Sequence, residues 1–264
     1  MTDKQLQSLT KLVMTYGRDI ETRNSLVKRL ITQTCSFHET PLVTVRKTAW
    51  KNALREMEWF LSGSSNIKDL DKRVHKWWKP WANLLGDVSY NYSKQFRRFG
   101  SHNIDQIQYL LNGIKNHPYS RRNVITTWDT SEMALSDTPI TNCHGTVIQA
   151  FVSPDNQLTL VTYQRSADLL LGIPHNWIQY WAMLLWIARE TDTRAFCLDW
   201  IGGDVHIYDQ HYVAAKEIID ANIDHTNRPQ LIINPTKGPF RAEDFTMVGD
   251  IPDPQVTTKL EMVV

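Results

Sequence analysis

The most apolar helix that this sequence predicts is Asn176-Trp177-Ile178-Gln179-Tyr180-Trp181-Ala182-Met183-Leu184-Leu185-Trp186-Ile187-Ala188-Arg189. Apolar residues fall on nearly every side of it, and such a helix belongs in the middle of a protein. The segments before and after it, residues 158–163 and 196–208, have the β-branched and aromatic composition of strands. The sequence therefore predicts a central helix that follows one strand and precedes another.

Other helices are indicated by apolar periodicity and by end signals. Leu6, Leu9 and Val13 recur at helical spacing before Gly17, and residues 49–61 form a second candidate helix. A third helix is predicted to start with Asn103 as its N-cap. Its expected buried face consists of Ile104, Ile107, Leu110, Leu111 and Ile114. Residues 209–220 are predicted to be helical again.

Further strands are predicted at residues 123–128, 146–152 and 229–233. The turn sequence Ser153-Pro154-Asp155-Asn156 joins residues 146–152 to residues 158–163 as a hairpin. Strands and helices follow one another without regular alternation, and no repeat or linker interrupts them. We therefore predict a single α+β domain, with helices covering one face of a mixed or largely antiparallel sheet.

The overall composition limits the function classes. The chain of 264 residues carries a formal net charge of +1, so it has no global field to attract nucleic acid or an anionic membrane. Its three cysteines are widely spaced, which is typical of a reducing compartment rather than of a disulfide framework. No apolar run is long enough to span a bilayer. We expect a cytoplasmic protein, located in the host cytoplasm if it is viral.

A thiol, a cation and a carboxylate occur over a short part of the chain. Cys143 and His144 stand just ahead of an apolar stretch, and Tyr163-Gln164-Arg165-Ser166-Ala167-Asp168 comes after it. A thiol beside a cation can become a thiolate near neutral pH and attack an electron-poor carbon. Arg165 and Ser166 together can bind one phosphate. An isolated Cys-His pair is more typical of core packing, so the other motifs must decide.

Polar residues also stand at the ends of two predicted elements. Asn176 either caps the central helix or uses its carboxamide, a donor and an acceptor, to bind the N3–H and O4 edge of uracil. His206 and Tyr208 point to the same face of a strand, where they can hold a sugar hydroxyl or simply belong to the core. His206 and His211 have no zinc-ligand spacing with Cys197, so we predict no metal.

The candidate residues fall into ordered motifs that extend over most of the chain. The central ones are Cys143-His144, Tyr163-Gln164-Arg165-Ser166-x-Asp168, Leu171-Gly172-x-Pro174-x-Asn176 and Gly203-Asp204-x-His206-x-Tyr208. Upstream are Glu56-x-x-Trp59-Phe60-Leu61-x-Gly63-x-x-Asn66-Ile67, Trp78-x-x-Trp81 and Tyr119-Ser120-Arg121-Arg122, and the chain ends with Lys259-Leu260-Glu261-Met262-Val263-Val264. In order and spacing these motifs resemble the thymidylate synthase family. The resemblance implies one catalytic domain over residues 1–264 that dimerises through its sheet.

The resemblance also implies a reaction and roles for named residues. Cys143 would add to C6 of dUMP, and C5 would then take a one-carbon unit from the co-substrate 5,10-methylenetetrahydrofolate, giving dTMP and dihydrofolate. The residues implied for the nucleotide are Arg23, Arg165 and Ser166, with Arg121 and Arg122 from the second subunit of a homodimer, and His206, Tyr208, Asn176, Gln164 and Asp168. Those implied for proton transfer are Glu56, Tyr92, His144 and Gln164, and those implied for the folate are Asp168, Trp78, Trp81 and Val263.

Two alternative functions remain open from the sequence. Members of this family include pyrimidine nucleotide hydroxymethylases, in which water instead of hydride completes the reaction. The tail at residues 259–264 and Trp78 resemble the water-excluding parts of methylating members, so methylation is favoured and a dUMP hydroxymethylase is the alternative. A nucleic-acid-binding module is suggested by basic and aromatic residues at 72–73, 77–81 and 94–98. The near-zero net charge argues against that module.

Overall fold

The computed structural model describes residues 2–88, 91–134, 145–223 and 228–263. The predicted nucleophile Cys143 and its neighbour His144 lie outside the described residues. The helices in the described ranges are α1 (Thr2–Tyr16), α2 (Trp50–Ser62), α3 (His75–Trp78), α4 (Tyr92–Arg97), α5 (Gln106–Asn116), α6 (Thr130–Ala134), α7 (Ile173–Thr191) and α8 (Tyr212–Asp220). The strands are β1 (Arg18–Glu21), β2 (Leu26–Phe37), β3 (Val124–Thr126), β4 (Val147–Val152), β5 (Gln157–Asp168), β6 (Arg194–Tyr208), β7 (Gln230–Ile233) and β8 (Phe245–Val248).

The main sheet in the described ranges has the strand order β1-β2-β6-β5-β4-β3. Its neighbouring strands are antiparallel except β5 and β6, which run parallel and are connected through α7. A second, two-stranded antiparallel sheet is formed by β7 and β8. The predicted α+β class with a mixed sheet is therefore confirmed.

The central helix is α7, as the sequence predicts. Trp177, Ile178 and Leu184 are fully buried, and the helix packs between α2 and the strands β5 and β6. Complete burial of each such side chain contributes about 1.5–3 kcal/mol, so this helix is a major source of stability. Because α7 begins at Ile173 and its N-cap position is Gly172, Asn176 lies inside the helix. The interpretation of Asn176 as a helix cap is wrong.

The start of α5 also differs from the prediction. Its N-cap is Asp105, whose side chain accepts a hydrogen bond from the Gln108 amide at 2.9 Å. Asn103 instead lies in the left-handed region at φ 52°, where Asn is tolerated in a turn. Ile104 is 48% exposed, because its backbone pairs with Phe99 ahead of the helix. The rest of the predicted buried face is confirmed.

The hairpin of β1 and β2 was not predicted from the sequence. β2 joins the main sheet by pairing along its length with β6, while β1 forms the sheet edge. The turn between the two strands holds Arg23, and the turn closes through hydrogen bonds between Thr22 and Ser25. None of the helices in the described ranges combines the length and the hydropathy that a bilayer span needs.

Candidate active site

Glu56 is the best-defined ionisable group of the site. It lies on α2 and is 9% exposed. Its Oε1 accepts a hydrogen bond from Trp78 Nε1 at 2.5 Å, and its Oε2 accepts one from Gln179 Nε2 at 2.8 Å. Burial raises the pKa of Glu56 to about 7, although both hydrogen bonds favour the charged form. A carboxyl group with this pKa can take up and release a proton near neutral pH.

The hydrogen bonds of Glu56 continue through a buried chain of amides. Gln179 Oε1 accepts from Asn176 Nδ2 at 3.2 Å, and Asn176 Oδ1 accepts from Gln164 Nε2 at 3.0 Å. Gln164 Oε1 in turn accepts from Trp200 Nε1 at 2.9 Å. The structure thus brings together three predicted site residues, Glu56, Asn176 and Gln164, from α2, α7 and β5. We call this series, from Trp78 through Glu56, Gln179, Asn176 and Gln164 to Trp200, the amide chain.

Gln179 was missed in the sequence analysis. The available signal was a glutamine inside the most apolar helix of the chain, because a polar side chain there needs buried hydrogen-bond partners. Two of its partners, the Ala53 carbonyl and Glu56, lie on α2, more than one hundred residues away in sequence. Local pattern alone therefore could not identify them.

Tyr180 connects α7 to the segment that follows Cys143. Its hydroxyl accepts a hydrogen bond from the Gly145 amide at 2.6 Å and lies 3.5 Å from Gln164 Oε1. Gly145 is the first described residue after the predicted nucleophile, and it adopts a positive φ of 61° that suits glycine. The backbone next to the Cys143-His144 motif is thereby anchored to the same helix that carries Asn176.

The sugar-binding candidates lie together at the end of β6. His206 Nδ1 is 3.0 Å from Asp204 Oδ1, and Asp204 Oδ2 accepts from Arg29 Nη1 at 3.1 Å. The carboxylate favours the His206 tautomer with hydrogen on Nδ1, which makes Nε2 an acceptor. The rings of His206 and Tyr208 are in edge contact at 5.1 Å, as their shared face predicts. Asp204 and Arg29 position this pair. Asp204 was predicted only as a member of its motif, without a role, and Arg29 was not predicted.

The phosphate-binding candidates lie in three places. Arg165 is on β5, where its guanidinium carbon is 5.0 Å from the centre of the Trp128 ring. Ser166 follows it on the same strand. Arg23 is exposed in the β1–β2 turn, and this turn contacts the end of β6 because Ser25 Oγ donates to Asp209 Oδ1 at 2.9 Å.

Arg121 and Arg122 are exposed in the turn that precedes β3, at the opposite edge of the sheet from β1. The Arg121 carbonyl accepts from Gln149 Nε2 on β4 at 3.1 Å. In this chain the two arginines therefore lie on a different part of the sheet from the Arg23 turn.

The folate candidates combine aromatic packing with a carboxylate. Trp78 packs edge-on against Trp59 and Phe60, so its indole is part of the core and also donates a hydrogen bond to Glu56. Trp81 is partly buried against the same core. Asp168 Oδ1 accepts hydrogen bonds from the Leu170 and Leu171 amides, which fixes the carboxylate at the start of α7. Val263, in the C-terminal tail, is partly buried.

Two buried polar atoms near these residues have no hydrogen-bond partner within the described ranges, namely Arg46 Nη1 and His175 Nε2. His175 is held through Nδ1 by the Leu171 carbonyl at 2.9 Å, and burial lowers its pKa to about 4. Burial lowers the pKa of Arg46, and the charge of Asp168 opposes this shift. Within the described ranges, each of these two buried atoms therefore lacks the hydrogen bond that buried polar groups usually make.

The C-terminal tail is held against α8 and the residues before it. His211 Nε2 lies 3.0 Å from the Glu261 carbonyl, and Thr258 Oγ1 donates to Glu217 Oε1 at 2.6 Å. Leu260 packs against the core.

The nucleic-acid-binding alternative can be compared with the structure. The nucleic-acid-binding module needs surface aromatics, but Trp78 and Phe96 are only 8% and 2% exposed. Their burial argues against base stacking on these rings. Within the four described ranges, no cluster of three or more His, Cys, Asp or Glu side chains is arranged to hold a metal ion.

The fold and the site together define an α+β enzyme with a buried carboxyl group, Glu56, that is hydrogen-bonded into the amide chain. This protein belongs to the thymidylate synthase family, since the family model described as thymidylate synthase matches residues 4–264. It is 34% identical over 228 residues to a thymidylate synthase of Corynebacterium aurimucosum, covering 84% of this chain and 82% of the relative. A thymidylate synthase of Buchnera aphidicola is 34% identical over 227 residues, covering 84% of each chain. The predicted family is confirmed, and thymidylate synthases are methyltransferases.

Proposed function

We propose that this chain transfers a one-carbon unit from 5,10-methylenetetrahydrofolate to C5 of dUMP, releasing dTMP and dihydrofolate. The observation that carries the proposal is the buried Glu56, with a pKa of about 7, joined through Gln179 to Asn176. This arrangement couples a proton-transfer group to an amide that can read uracil. Relatives named thymidylate synthase favour methylation over hydroxymethylation.

In the proposed mechanism the Cys143 thiolate forms a bond to C6 of the pyrimidine. The electron pair of the C5–C6 double bond moves toward C5 and O4, giving an enolate that can attack the one-carbon unit. The Asn176 amide donates to O4 and accepts from N3–H, so it stabilises the charge that develops on O4. A polarizable sulfur nucleophile and an oriented donor are what conjugate addition to a nearly neutral ring requires.

Glu56 is proposed to accept the C5 proton, directly or through water, together with Tyr92 and His144. Both of its carboxylate oxygens accept hydrogen bonds, from Trp78 and from Gln179. These donors fix the carboxylate plane, so an added proton must occupy one of the remaining lone pairs. Loss of this proton lets C5 form a double bond to the transferred carbon while the bond from that carbon to the folate nitrogen breaks. Hydride from the folate then adds to this carbon, and the Cys143 sulfur leaves C6 as the C5–C6 double bond forms again.

The nucleotide is proposed to be held at both ends. Arg165 and Ser166 bind the 5′-phosphate, with Arg23 reaching it from the β1–β2 turn. His206 Nε2 accepts a hydrogen bond from the deoxyribose 3′-hydroxyl, and Tyr208 binds the same hydroxyl. The Asp204 carboxylate beside Nδ1 favours the Nδ1–H tautomer of His206, which leaves Nε2 as an acceptor and supports this direction of donation.

The remaining phosphate contacts are proposed to come from Arg121 and Arg122 of a second subunit in a homodimer. The outer face of the sheet supports this assembly, because it exposes the apolar side chains Val147, Phe151 and Tyr163. Val147 and Tyr163 are direct cross-strand partners, so these side chains lie on one face. A second copy of the chain is the proposed cover for this face.

The folate is proposed to bind beside Trp78 and Trp81, with Asp168 contacting the polar edge of its pterin and Val263 closing the site. The co-substrate supplies both the one-carbon unit and the hydride that reduces it, and it leaves as dihydrofolate. The chain's own contribution is to orient this partner and to exclude water while the site is closed. We also propose that residues 1–264 form one catalytic domain that acts in a cytoplasm.

Incubation of the protein with dUMP and methylenetetrahydrofolate tests the proposal. Dihydrofolate absorbance should rise in step with dTMP, identified by its mass. Formation of 5-hydroxymethyl-dUMP without dihydrofolate would contradict methylation. A matched protein with Glu56→Gln serves as the control, since the loss of an acid–base group typically reduces turnover by about 10²–10⁴-fold.

A further inference from the structure

Gln179 is fully buried in α7, and none of the catalytic or binding steps above assigns it a contact with substrate. Its Nε2 donates both to the Ala53 carbonyl at 2.9 Å and to Glu56 Oε2 at 2.8 Å, and its Oε1 accepts from Asn176 at 3.2 Å. Both hydrogens of its amide are therefore in use. A buried amide that satisfies three partners at once is costly to replace, because each partner would lose its hydrogen bond.

The direction of every hydrogen bond along the amide chain can be worked out from its ends. Trp200 Nε1 can only donate, so Gln164 must present its oxygen to Trp200 and its nitrogen to Asn176. At the other end, the Ala53 carbonyl can only accept, so Gln179 must present its nitrogen to Ala53 and its oxygen to Asn176. The Asn176 carboxamide is thus fixed from both sides, with Oδ1 toward Gln164 and Nδ2 toward Gln179.

This fixed orientation leaves Asn176 one amide hydrogen and one oxygen lone pair for a ligand. They match the O4 acceptor and N3–H donor of uracil. Cytosine presents the reverse pattern, a donor at position 4 and an acceptor at N3. To bind it, Asn176 would have to turn over, placing its nitrogen against the nitrogen of Gln164 and its oxygen against the oxygen of Gln179.

We propose that Gln179 is a specificity-determining positioning residue, which holds the Asn176 carboxamide in the orientation that accepts uracil nucleotides and rejects cytosine nucleotides. This inference rests on the proposed function, since it assumes that Asn176 reads the base. Gln179 and Gln164 each oppose the turned-over amide. Removing Gln179 alone therefore weakens the discrimination without abolishing it.

The test compares dissociation constants for dUMP and dCMP, measured by calorimetry, in Gln179→Met and Gln179→Glu. Methionine keeps the volume of the side chain and removes its hydrogen bonds, so the ratio of dCMP to dUMP dissociation constants should fall by about tenfold, the effect of one mispaired buried group. Glutamate keeps an oxygen that can accept from Asn176, so the ratio should stay at the wild-type value. The pH dependence of turnover by the Gln179→Glu variant should shift, because this variant lacks the amide that donates to Glu56.

Thr191→Val is the matched control, because it removes a buried hydrogen bond from the far end of the same helix, from Thr191 Oγ1 to the Ile187 carbonyl. It should leave both dissociation constants unchanged. An unchanged ratio of dissociation constants in Gln179→Met would overturn the inference. A lower ratio in Gln179→Glu would overturn it as well, and this variant gives a result even if the methionine variant fails to fold. A wild-type protein that makes no dTMP would instead overturn the proposed function, and the inference with it.

Discussion

At the residue scale, two buried ionisable groups give stability opposite dependences on pH. Burial raises the pKa of Glu56 to about 7 and lowers that of His175 to about 4. The folded state therefore binds the Glu56 proton more tightly than the unfolded state does, and the His175 proton less tightly. The Glu56 contribution is present at low pH and is lost as pH rises through 7. The His175 contribution is present above its ordinary pKa and is lost as pH falls toward 4.

Replacement of Glu56 by glutamine should remove the first of these dependences. The free energy of unfolding of wild type relative to Glu56→Gln should fall by about 2.5 kcal/mol between pH 5 and pH 8, since one pKa unit corresponds to about 1.36 kcal/mol. Urea unfolding at the two pH values measures this difference. A constant offset is expected as well, because the new amide faces the Gln179 donor, but it does not vary with pH. Parallel stability curves for the two proteins would contradict the raised pKa.

From the sequence, Glu56 and Asn176 could be predicted as site residues. The hydrogen bonds that join them through Gln179 could not. Their motifs are local and readable, whereas the bonds of Gln179 and of the Trp78 indole join segments far apart in the chain. The resemblance implied Trp78 as a folate contact, and its hydrogen bond to Glu56 became visible only with the fold. Long-range partners of this kind depend on tertiary packing, which periodicity does not report.

At the element scale, elements whose stability comes from their own apolar residues could be predicted from the sequence, and elements whose stability comes from pairing with distant strands could not. Helix α7 is apolar on nearly all sides, so the sequence alone predicted both its existence and its central position. The strands β1 and β2 carry charged residues such as Arg18, Lys28 and Arg29, and β1 is an edge strand. Their strand conformation comes from pairing with each other and with β6, a tertiary effect that outweighs local propensity.

The start of α5 offers a test at this scale. Asp105→Ala should reduce the free energy of unfolding by about 1 kcal/mol, because the Gln108 amide loses its cap. Asp105→Asn keeps a capping oxygen and should cost little. Asn103→Gly should also cost little, since glycine accepts the positive φ at this position. Denaturant unfolding of the three variants measures these effects, and a larger loss for Asn103→Gly than for Asp105→Ala would restore Asn103 as the cap.

At the scale of the whole molecule, the outer face of the main sheet exposes apolar side chains that the proposed dimer would cover. Its exposed apolar residues include Phe151, which is 41% exposed and lies on the same face as Val147 and Tyr163. The sequence resemblance implied a homodimer through this sheet, and the exposed face supports it. Composition alone could not indicate it, because exposed apolar residues are common on any protein surface.

A charged face should prevent the proposed dimer. Wild type is expected to sediment at about twice the 30.7 kDa mass of the chain, whereas the double variant Val147→Glu with Phe151→Glu should sediment as a folded monomer. The monomer should have lost turnover, because Arg121 and Arg122 of a second subunit no longer reach the phosphate. The control is Ile232→Glu, which charges an exposed apolar residue on the small sheet. A monomeric wild type with full activity would contradict the shared site.

The central claim is a transient bond between the Cys143 sulfur and C6 of the nucleotide, and intact-protein mass spectrometry tests it most directly. With 5-fluoro-dUMP and methylenetetrahydrofolate, fluorine replaces the C5 proton that Glu56 must remove, so the reaction should stall with the sulfur still bonded. Denatured wild type should then gain the combined mass of nucleotide and co-substrate, and Cys143→Ser should gain none. A wild type that never retains the nucleotide after denaturation, or a serine variant that retains it equally, would contradict the account.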